Sequence, residues 1–228
     1  VTKPGTLELH SKSGTRRQET KSWNINLDVN YVINDELTTD ILVAHRNYTT
    51  KFKAYPDTNW YGDVDEDNYT AEAKLTYQSL DEKYNAILGL ASFFKDQYTE
   101  TDSLKRKDEV LTNSIYFDSR IRLDNRWQLL LGARYERDEL KRDFDHATLP
   151  LDFKADEDDG ILLPKIGLLL DVSDHSTLGL TARKGYNAGG LGYNEYKEEV
   201  FVFEQEKVWS YELSSRSSFL DDKLDLTA

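Results

Sequence analysis

Apolar and polar residues alternate along much of this chain with a period of two. From residue 23 to residue 33 the odd positions are all apolar, and the even positions from 24 to 30 are all Asn or Asp. Successive side chains of a strand point to opposite faces, so this pattern predicts a strand with one apolar and one polar face. Comparable patterns predict ten strands in all, at 23–33, 37–50, 68–77, 84–94, 115–121, 127–135, 162–172, 176–184, 209–219 and 223–228.

The connections between these strands alternate in length. Short turns are predicted at 34–36, 78–83, 123–125, 173–175 and 220–222. Long polar loops are predicted at 51–67, 95–111, 142–160 and 185–206. Strict alternation of this kind is typical of transmembrane β-barrels, which have short periplasmic turns and longer extracellular loops.

Strand length and the positions of aromatic residues favour the same fold. Trp23 and Tyr31 lie eight residues apart on the apolar face, and so do Trp127 and Tyr135. At roughly 3.3 Å per residue and a tilt near 40°, that spacing rises about 20 Å, close to the roughly 25 Å apolar band that aromatic girdles border. The alternative is a soluble sheet whose core these aromatics border and whose polar face meets solvent. We predict an all-β, antiparallel transmembrane β-barrel.

The direction of the strands bears on how much of a barrel is present. The first clear strand runs into a short turn, which places residues 1–20 on the outer side, and the last strand heads outward. A bacterial barrel begins and ends on the periplasmic side. We therefore expect residues 1–228 to be an internal part of a larger barrel domain, with strands missing before and after them.

Composition excludes several other classes. The chain carries 29 Lys and Arg against 42 Asp and Glu, a formal net charge of −13, and has no Cys. A nucleic-acid surface needs clustered basic residues, so no nucleic-acid partner is expected. The absence of Cys rules out disulfides, thiol catalysis and Cys-ligated metals. No apolar run approaches the roughly 18 residues that a transmembrane helix requires.

Several phrases of the sequence are more specific than its periodicity. Residues 131–138 read LGARYERD, residues 163–167 read LPKIG, and residues 183–191 read RKGYNAGGL. They are followed by FEQEKVWSYELSSRSSF at 203–219 and DDKL at 221–224. In content, order and spacing this series resembles the barrel domain of TonB-dependent outer-membrane receptors, closely over 112–228 and more loosely before. Gln205, Ser214 and Arg216 depart from that family's usual Pro, Gly and Lys.

The resemblance implies a barrel of roughly 22 strands with a plug inside, in the bacterial outer membrane. Such receptors import a scarce ligand with energy supplied through TonB, most often a ferric siderophore and in other members cobalamin, haem or oligosaccharides. The implied partners are outer-membrane lipid and lipopolysaccharide, a small-molecule ligand, and TonB, the last through a plug domain that these residues do not include. No resident cofactor is expected, since iron would arrive as part of the transported chelate.

Candidate ligand contacts follow from the positions of loop aromatics and basic residues. Arg134 and Arg183, near the outer ends of their strands, could pair with an anionic iron chelate. Tyr and Trp offer large contact areas at small entropic cost. The predicted aromatic set is Trp60, Tyr61, Tyr98, Tyr186, Tyr193 and Tyr196.

Metal binding and catalysis have weaker signals. The four His residues are scattered, and neither an HExxH nor a GxSxG motif occurs. The acidic runs at 63–67 and 156–159 supply oxygen ligands that suit Ca²⁺, but they lack the features of an EF-hand loop, so solvated charge is expected. We expect no enzyme. The alternatives left open are a small, protease-like outer-membrane barrel enzyme and a passive porin.

Overall fold

A computed structural model shows that nearly all of the described chain is antiparallel β-strand. The structure describes residues 6–11, 14–55, 61–146, 153–194, 197, 199–219 and 223–227. The strands are β1 (Thr6–Ser11), β2 (Gly14–Val32), β3 (Leu37–Tyr55), β4 (Tyr61–Gln78), β5 (Tyr84–Thr101), β6 (Leu104–Arg122), β7 (Trp127–His146), β8 (Phe153–Ser173), β9 (Ser176–Asn187), β10 (Gly190–Asn194), β11 (Glu199–Phe203), β12 (Glu206–Phe219) and β13 (Leu224–Thr227).

Eleven strands form one open sheet in the order β1 to β9, then β12 and β13. Each strand therefore pairs with its neighbour in sequence, except that β10 and β11 form a separate hairpin between β9 and β12. Each of the ten strands predicted from the sequence overlaps a described strand of this sheet, which confirms the fold class. Within the described ranges, no helix is long and apolar enough to cross a membrane.

The predicted bounds of the long loops were too wide, because strands extend into each of them. Strand β3 continues to Tyr55 and β4 begins at Tyr61, while two residues, 102–103, separate β5 from β6. The strands continue beyond the residues in which apolar and polar positions alternate. Main-chain hydrogen bonds between neighbouring strands do not require an apolar face, so they persist where both faces of the sheet are polar. Hydrophobic periodicity therefore marked only the apolar half of each hairpin.

The register of the sheet gives the tilt of its strands. Directly paired residues place Trp23 of β2 level with Lys141 of β7. On β7 the aromatic residue at the same border of the apolar band is Tyr135, which is six residues closer to the short turns than Lys141. In the same way Tyr31 is level with Ala133, and Trp127 lies six residues closer to the short turns. Six residues of about 3.3 Å against about five strand spacings of 4.8 Å correspond to a tilt of about 40°. Transmembrane barrels tilt their strands by roughly 35–45°.

Two aromatic girdles on the apolar face follow this tilt. Rings of the upper girdle, the one away from the short turns, contact one another: His45 stacks on Tyr69 with centroids 4.3 Å apart, and Trp23 meets His45 edge-on at 4.7 Å. The upper girdle comprises Trp23, His45, Tyr69, Phe94 and Tyr135. The lower girdle comprises Tyr31, Tyr77, Tyr84 and Trp127.

Between the girdles the apolar side chains point away from the concave, polar face. Ile25 and Leu27 are 66% and 62% exposed, as are many outward residues of the neighbouring strands to lesser degrees. Among the described residues, Ile161 is the large apolar side chain that is buried. The sheet thus keeps its hydrophobic surface on the outside, which a bilayer covers and water does not.

Candidate ligand-binding cavity on the inner face

The inner face carries a cavity at the place where two neighbouring strands separate. Strands β8 and β9 pair only up to Lys165–Arg183, although β8 continues back to Phe153 and β9 on to Asn187. The residue beyond Lys165 is Pro164, which has no N–H to donate to a ladder. Past this point β9 stays paired with β12 and leaves β8. The gap between β8 and β9 opens at the level of the upper girdle, where the apolar band of the outer face ends.

The cavity has a volume of about 960 Å³. Its floor is the inner face of β6, β7 and β8, and its roof is the end of β9 with the chain that enters and leaves the β10–β11 hairpin. That volume is within the range of small-molecule binding sites. Residues of the floor include Glu136, Asp138, Glu157 and Asp159, and residues of the roof include Tyr186, Phe203, Gln205 and Lys207.

Tyr186 joins the roof to the floor. Its hydroxyl lies 2.5 Å from Oε1 of Glu136 and is also hydrogen-bonded to Oδ2 of Asp138, which accepts a second bond, of 2.5 Å, from the hydroxyl of Thr112. Burial, together with these two carboxylates, raises the pKa of Tyr186 far above its usual value. Tyr186 is therefore a permanently protonated donor that holds β9 over the cavity.

Strand alternation alone would put Tyr186 on the outer face. In the β9–β12 ladder, Lys184 pairs with Trp209, which is on the apolar face, and Tyr186 is two residues further along. Its side chain reaches the inner carboxylates because this stretch of β9 is no longer paired to β8. Tertiary structure, and not periodicity, thus brings Tyr186 into the site.

A line of polar contacts connects the cavity with the rest of the inner wall. The Tyr116 hydroxyl donates a 2.6 Å bond to Glu72 by crossing the intervening strand β5. It can cross because β5 has Gly89 there: a Cβ on Gly89 would lie 2.1 Å from Cζ of Tyr116. The guanidinium of Arg134 lies 5.9 Å from the Tyr116 ring centroid and 2.5 Å from Glu136.

The three arginines beside the cavity, Arg106, Arg134 and Arg142, already have carboxylate partners. Nη2 of Arg134 lies 2.5 Å from Oε2 of Glu136. Further out, Asp108 is only 2% exposed and pairs with Nε of Arg142 at 2.5 Å and with Nε of Arg106 at 3.0 Å. The charge of Arg134 is therefore balanced by Glu136, whereas Arg106 and Arg142 share a single carboxylate. A contact between Arg134 and an anionic ligand stays a prediction.

Gln205 ties the far end of the roof to the floor. Its side-chain amide donates a 3.1 Å bond to Oδ1 of Asp159 on β8. The family that the sequence resembles was noted above to have Pro at this position, and Pro has no side-chain donor. This departure from the family pattern therefore supplies a specific contact within the cavity.

The structure separates the ligand contacts that the sequence predicted. Tyr186 lines the cavity, and Arg134 reaches it through Glu136. Arg183 is on the inner face but closer to the short turns, opposite Lys165. Tyr61 and Tyr98 share the outward face of β4 and β5, on the other side of the wall. Trp60, Tyr196 and the side chain of Tyr193 lie outside the described residues.

Sequence reasoning missed most of the residues that line this cavity. Glu136 and Asp138 have the same parity as Arg134 on β7, so they could have been assigned to the inner face from that residue alone. Glu157 and Asp159 were interpreted as part of a solvated acidic run. The roof residues around Phe203 carry no periodic signal that would place them over β8.

Neither acidic run gathers into a metal site. Alternation sends Asp63, Asp65 and Asp67 to the outer face and Glu66 to the inner one. Asp67 instead accepts from His45, with 2.7 Å between Nε2 and Oδ1. Among the residues that the structure describes, no group of three or more His, Asp and Glu side chains is placed to hold a metal ion.

Known proteins share this architecture. The sequence model of a family described as "TonB dependent receptor-like, beta-barrel" matches residues 3–228. The chain therefore belongs to the TonB-dependent receptor β-barrel family, whose members are outer-membrane transport receptors and not enzymes. With the fold established, the convex apolar face is the lipid-facing surface and the concave face lines the barrel interior.

Solved receptors resemble the chain in fold at low sequence identity. The ferric yersiniabactin uptake receptor of Yersinia pestis is 15% identical, with a TM-score of 0.74, over 90% of this chain and 34% of that one. A siderophore receptor of Acinetobacter baumannii is 13% identical, with a TM-score of 0.73, over 95% and 40%. The alcaligin outer-membrane receptor of Bordetella pertussis is 15% identical, with a TM-score of 0.70, over 93% and 36%.

The chain therefore corresponds to about a third to two fifths of the length of these receptors. It accounts for eleven adjacent strands of the wall in the described sheet, together with a hairpin that extends the connection from β9 to β12.

Proposed function

We propose that the receptor to which this chain belongs imports a ferric siderophore across the outer membrane. The observation that carries this proposal is the cavity of about 960 Å³ on the inner wall, at the upper girdle, where a ligand arriving from outside first meets the barrel interior. Of the solved relatives named above, one is described as a siderophore receptor and another as a ferric yersiniabactin uptake receptor, which supports the same ligand class.

In this proposal the wall described here has three surfaces with different partners. The apolar outer band contacts membrane lipid, and the polar strand extensions above it contact lipopolysaccharide. The inner face surrounds a plug domain contributed by the rest of the protein, through which TonB would deliver energy. The cavity holds the small-molecule ligand until the plug moves.

Uptake of radiolabelled iron by cells that express the complete receptor tests this function. Deletion of the gene is expected to abolish uptake from at least one ferric siderophore under iron limitation, and complementation to restore it. Loss of the TonB protein should abolish the same uptake. Uptake that persists without TonB would support a passive porin instead.

Two variants separate the cavity from the predicted loop contacts. Tyr186→Phe removes the bond between roof and floor while keeping the ring, and we expect a reduced affinity for the siderophore. Replacement of Trp60 and Tyr61 together by Ala tests the aromatic loop predicted from the sequence. Unchanged affinity in that double variant would remove the loop from the ligand site, and unchanged affinity in Tyr186→Phe would remove the cavity roof.

A further inference from the structure

The charge of the cavity indicates which class of chelate it accepts. Its lining includes five carboxylate residues and two basic ones. The carboxylates are Glu136, Asp138, Glu157, Asp159 and Glu204, and the basic residues are Arg142 and Lys207. Glu139 also borders the cavity, but strand alternation directs its side chain outward, where it lies 3.6 Å from Arg137. A ligand that enters this space exchanges bulk water for a surface of predominantly negative charge.

The basic groups nearby offset only part of this charge. Arg134 and Glu136 lie 2.5 Å apart and cancel each other's charge, and Arg142 shares the buried carboxylate of Asp108 with Arg106. Asp138, Glu157, Asp159 and Glu204 remain without a basic partner among the ion pairs of the described residues. A guanidinium in close contact with a carboxylate presents little net charge to a third group. An anionic ligand would have to break such a pair or accept repulsion from the remaining carboxylates.

Two of the carboxylates are held in place by hydrogen bonds. Tyr186 and Thr112 hold Asp138, and Gln205 holds Asp159 through a 3.1 Å bond. Preorganised acceptors of this kind favour ligand groups that donate hydrogen bonds or carry positive charge, because no reorganisation is needed on binding. The rings of Tyr186 and Phe203 add aromatic surface to the same space, and aromatic faces also attract cations.

We propose that this cavity selects a positively charged ferric chelate, one with an ammonium group at its periphery, over neutral and polyanionic chelates. The proposal rests on the proposed siderophore transport and deepens it, since it names the charge class of the ligand. It replaces the expectation, drawn from Arg134 and Arg183, that the chelate is anionic. The specificity-determining residues are Glu157 and Asp159, which face the cavity from β8.

Binding to the purified complete receptor tests the charge preference directly. Three probes suit the test: a ferric trihydroxamate with a free terminal ammonium, the same complex with that amine acetylated, and a ferric tricatecholate, which is a trianion. The first two share one iron complex and differ at the terminal amine, where acetylation removes the positive charge and adds an acetyl group. We expect the ammonium form to bind about three- to tenfold more tightly than the acetylated form, as expected for one or two carboxylates at roughly 8 Å.

Two variants test whether the carboxylates of β8 cause the preference for the ammonium form. Glu157→Gln with Asp159→Asn should lower the ratio of the two affinities about threefold or more, whereas Asp156→Asn, on the outward face of the same strand, should leave the ratio unchanged. Raising the salt concentration from about 0.1 M to 1 M should also reduce the ratio, since the screening length falls from about 10 Å to 3 Å.

The outcomes distinguish this proposal from the one on which it rests. Equal binding of the ammonium and acetylated forms, or tightest binding of the tricatecholate, would overturn the charge preference while leaving siderophore transport standing. Failure of all three ferric probes to bind, together with no iron-dependent uptake by cells, would overturn both. A lowered ratio in the Asp156→Asn control would show that the cavity carboxylates do not set the preference.

Discussion

The eleven-stranded sheet has two parts, one between the two girdles and one above the upper girdle. The same hydrogen-bonded strands run through both parts, but the side chains on the outer face differ. Between the girdles the outer face is apolar, as at Leu88, which is 49% exposed. Above the upper girdle it carries ion pairs, such as Lys51–Asp63 at 3.7 Å and Lys107–Asp96 at 3.8 Å. The pairing of β5 with β6 runs without a break from Tyr84–Ile121 to Glu100–Lys105, through both parts.

This contrast shows that the surroundings select the side chains while the backbone stays the same. In lipid every main-chain group must be paired within the sheet, and the strands satisfy this by their ladders. In water the same ladders persist, but outward positions are free to be charged. The upper part is therefore an extension of the sheet by polar hairpins, and it is where the interior opens into a cavity.

The largest expected effect comes from placing a charge in the lipid-facing part. Leu88→Arg, near the middle of the band between the girdles, should lower the free energy of unfolding by about 2–4 kcal/mol. Reversible urea unfolding of the complete receptor in lipid vesicles measures this. Thr49→Arg, on the same face but above the upper girdle, is the control, and we expect a loss of under about 1 kcal/mol. Equal losses would show that the girdles do not border the bilayer.

The second effect concerns Asp108, a strongly buried carboxylate in the part of the sheet above the upper girdle. Asp108→Asn would leave Arg106 and Arg142 side by side without their shared carboxylate. We expect a local loss of about 1–3 kcal/mol, seen as faster amide exchange in the upper halves of β6 and β7. Exchange between the girdles should not change, and a change there would show that the two parts unfold together.

An exposed ion pair between β7 and β8 should matter much less. Lys154 and Asp143 lie 2.7 Å apart, but their side chains are 82% and 54% exposed. Asp143→Asn should cost no more than about 0.5 kcal/mol, because solvent and salt screen such pairs. The measurement is the same amide exchange experiment, and a cost comparable to that of Asp108→Asn would contradict the role assigned to burial.

The smallest effect is the pH dependence of the outer face. The guanidinium of Arg137, whose Nε lies 2.9 Å from Oδ1 of Asp158, holds the pKa of that carboxyl below its usual value. The stabilisation is present above the unfolded-state pKa of an aspartate, and it is lost as the pH falls through the lower folded-state value. Carboxyl chemical shifts measured below pH 4 should show that Asp158 takes up its proton at a lower pH in the native receptor than in Arg137→Gln, and an unchanged midpoint in that variant would contradict the pair.

The sequence by itself determined the class of fold and the orientation of the band. Trp23, Tyr31, Trp127 and Tyr135 were sufficient to place both girdles, since an apolar face next to lipid must alternate strictly with a polar one. The phrases near Gly189 and Tyr211 indicated the family independently of that periodicity. Both signals are local, so each could be interpreted from a single chain.

Tertiary structure decided the candidate site. The extent of the strands above the girdles, the separation of β9 from β8 beyond Pro164, and the inward position of Tyr186 depend on which strand a residue pairs with. The same holds for Tyr116, which reaches Glu72 only because Gly89 lies between them. A period of two specifies the face of a residue on its own strand, whereas a cavity depends on contacts between strands that are distant in sequence.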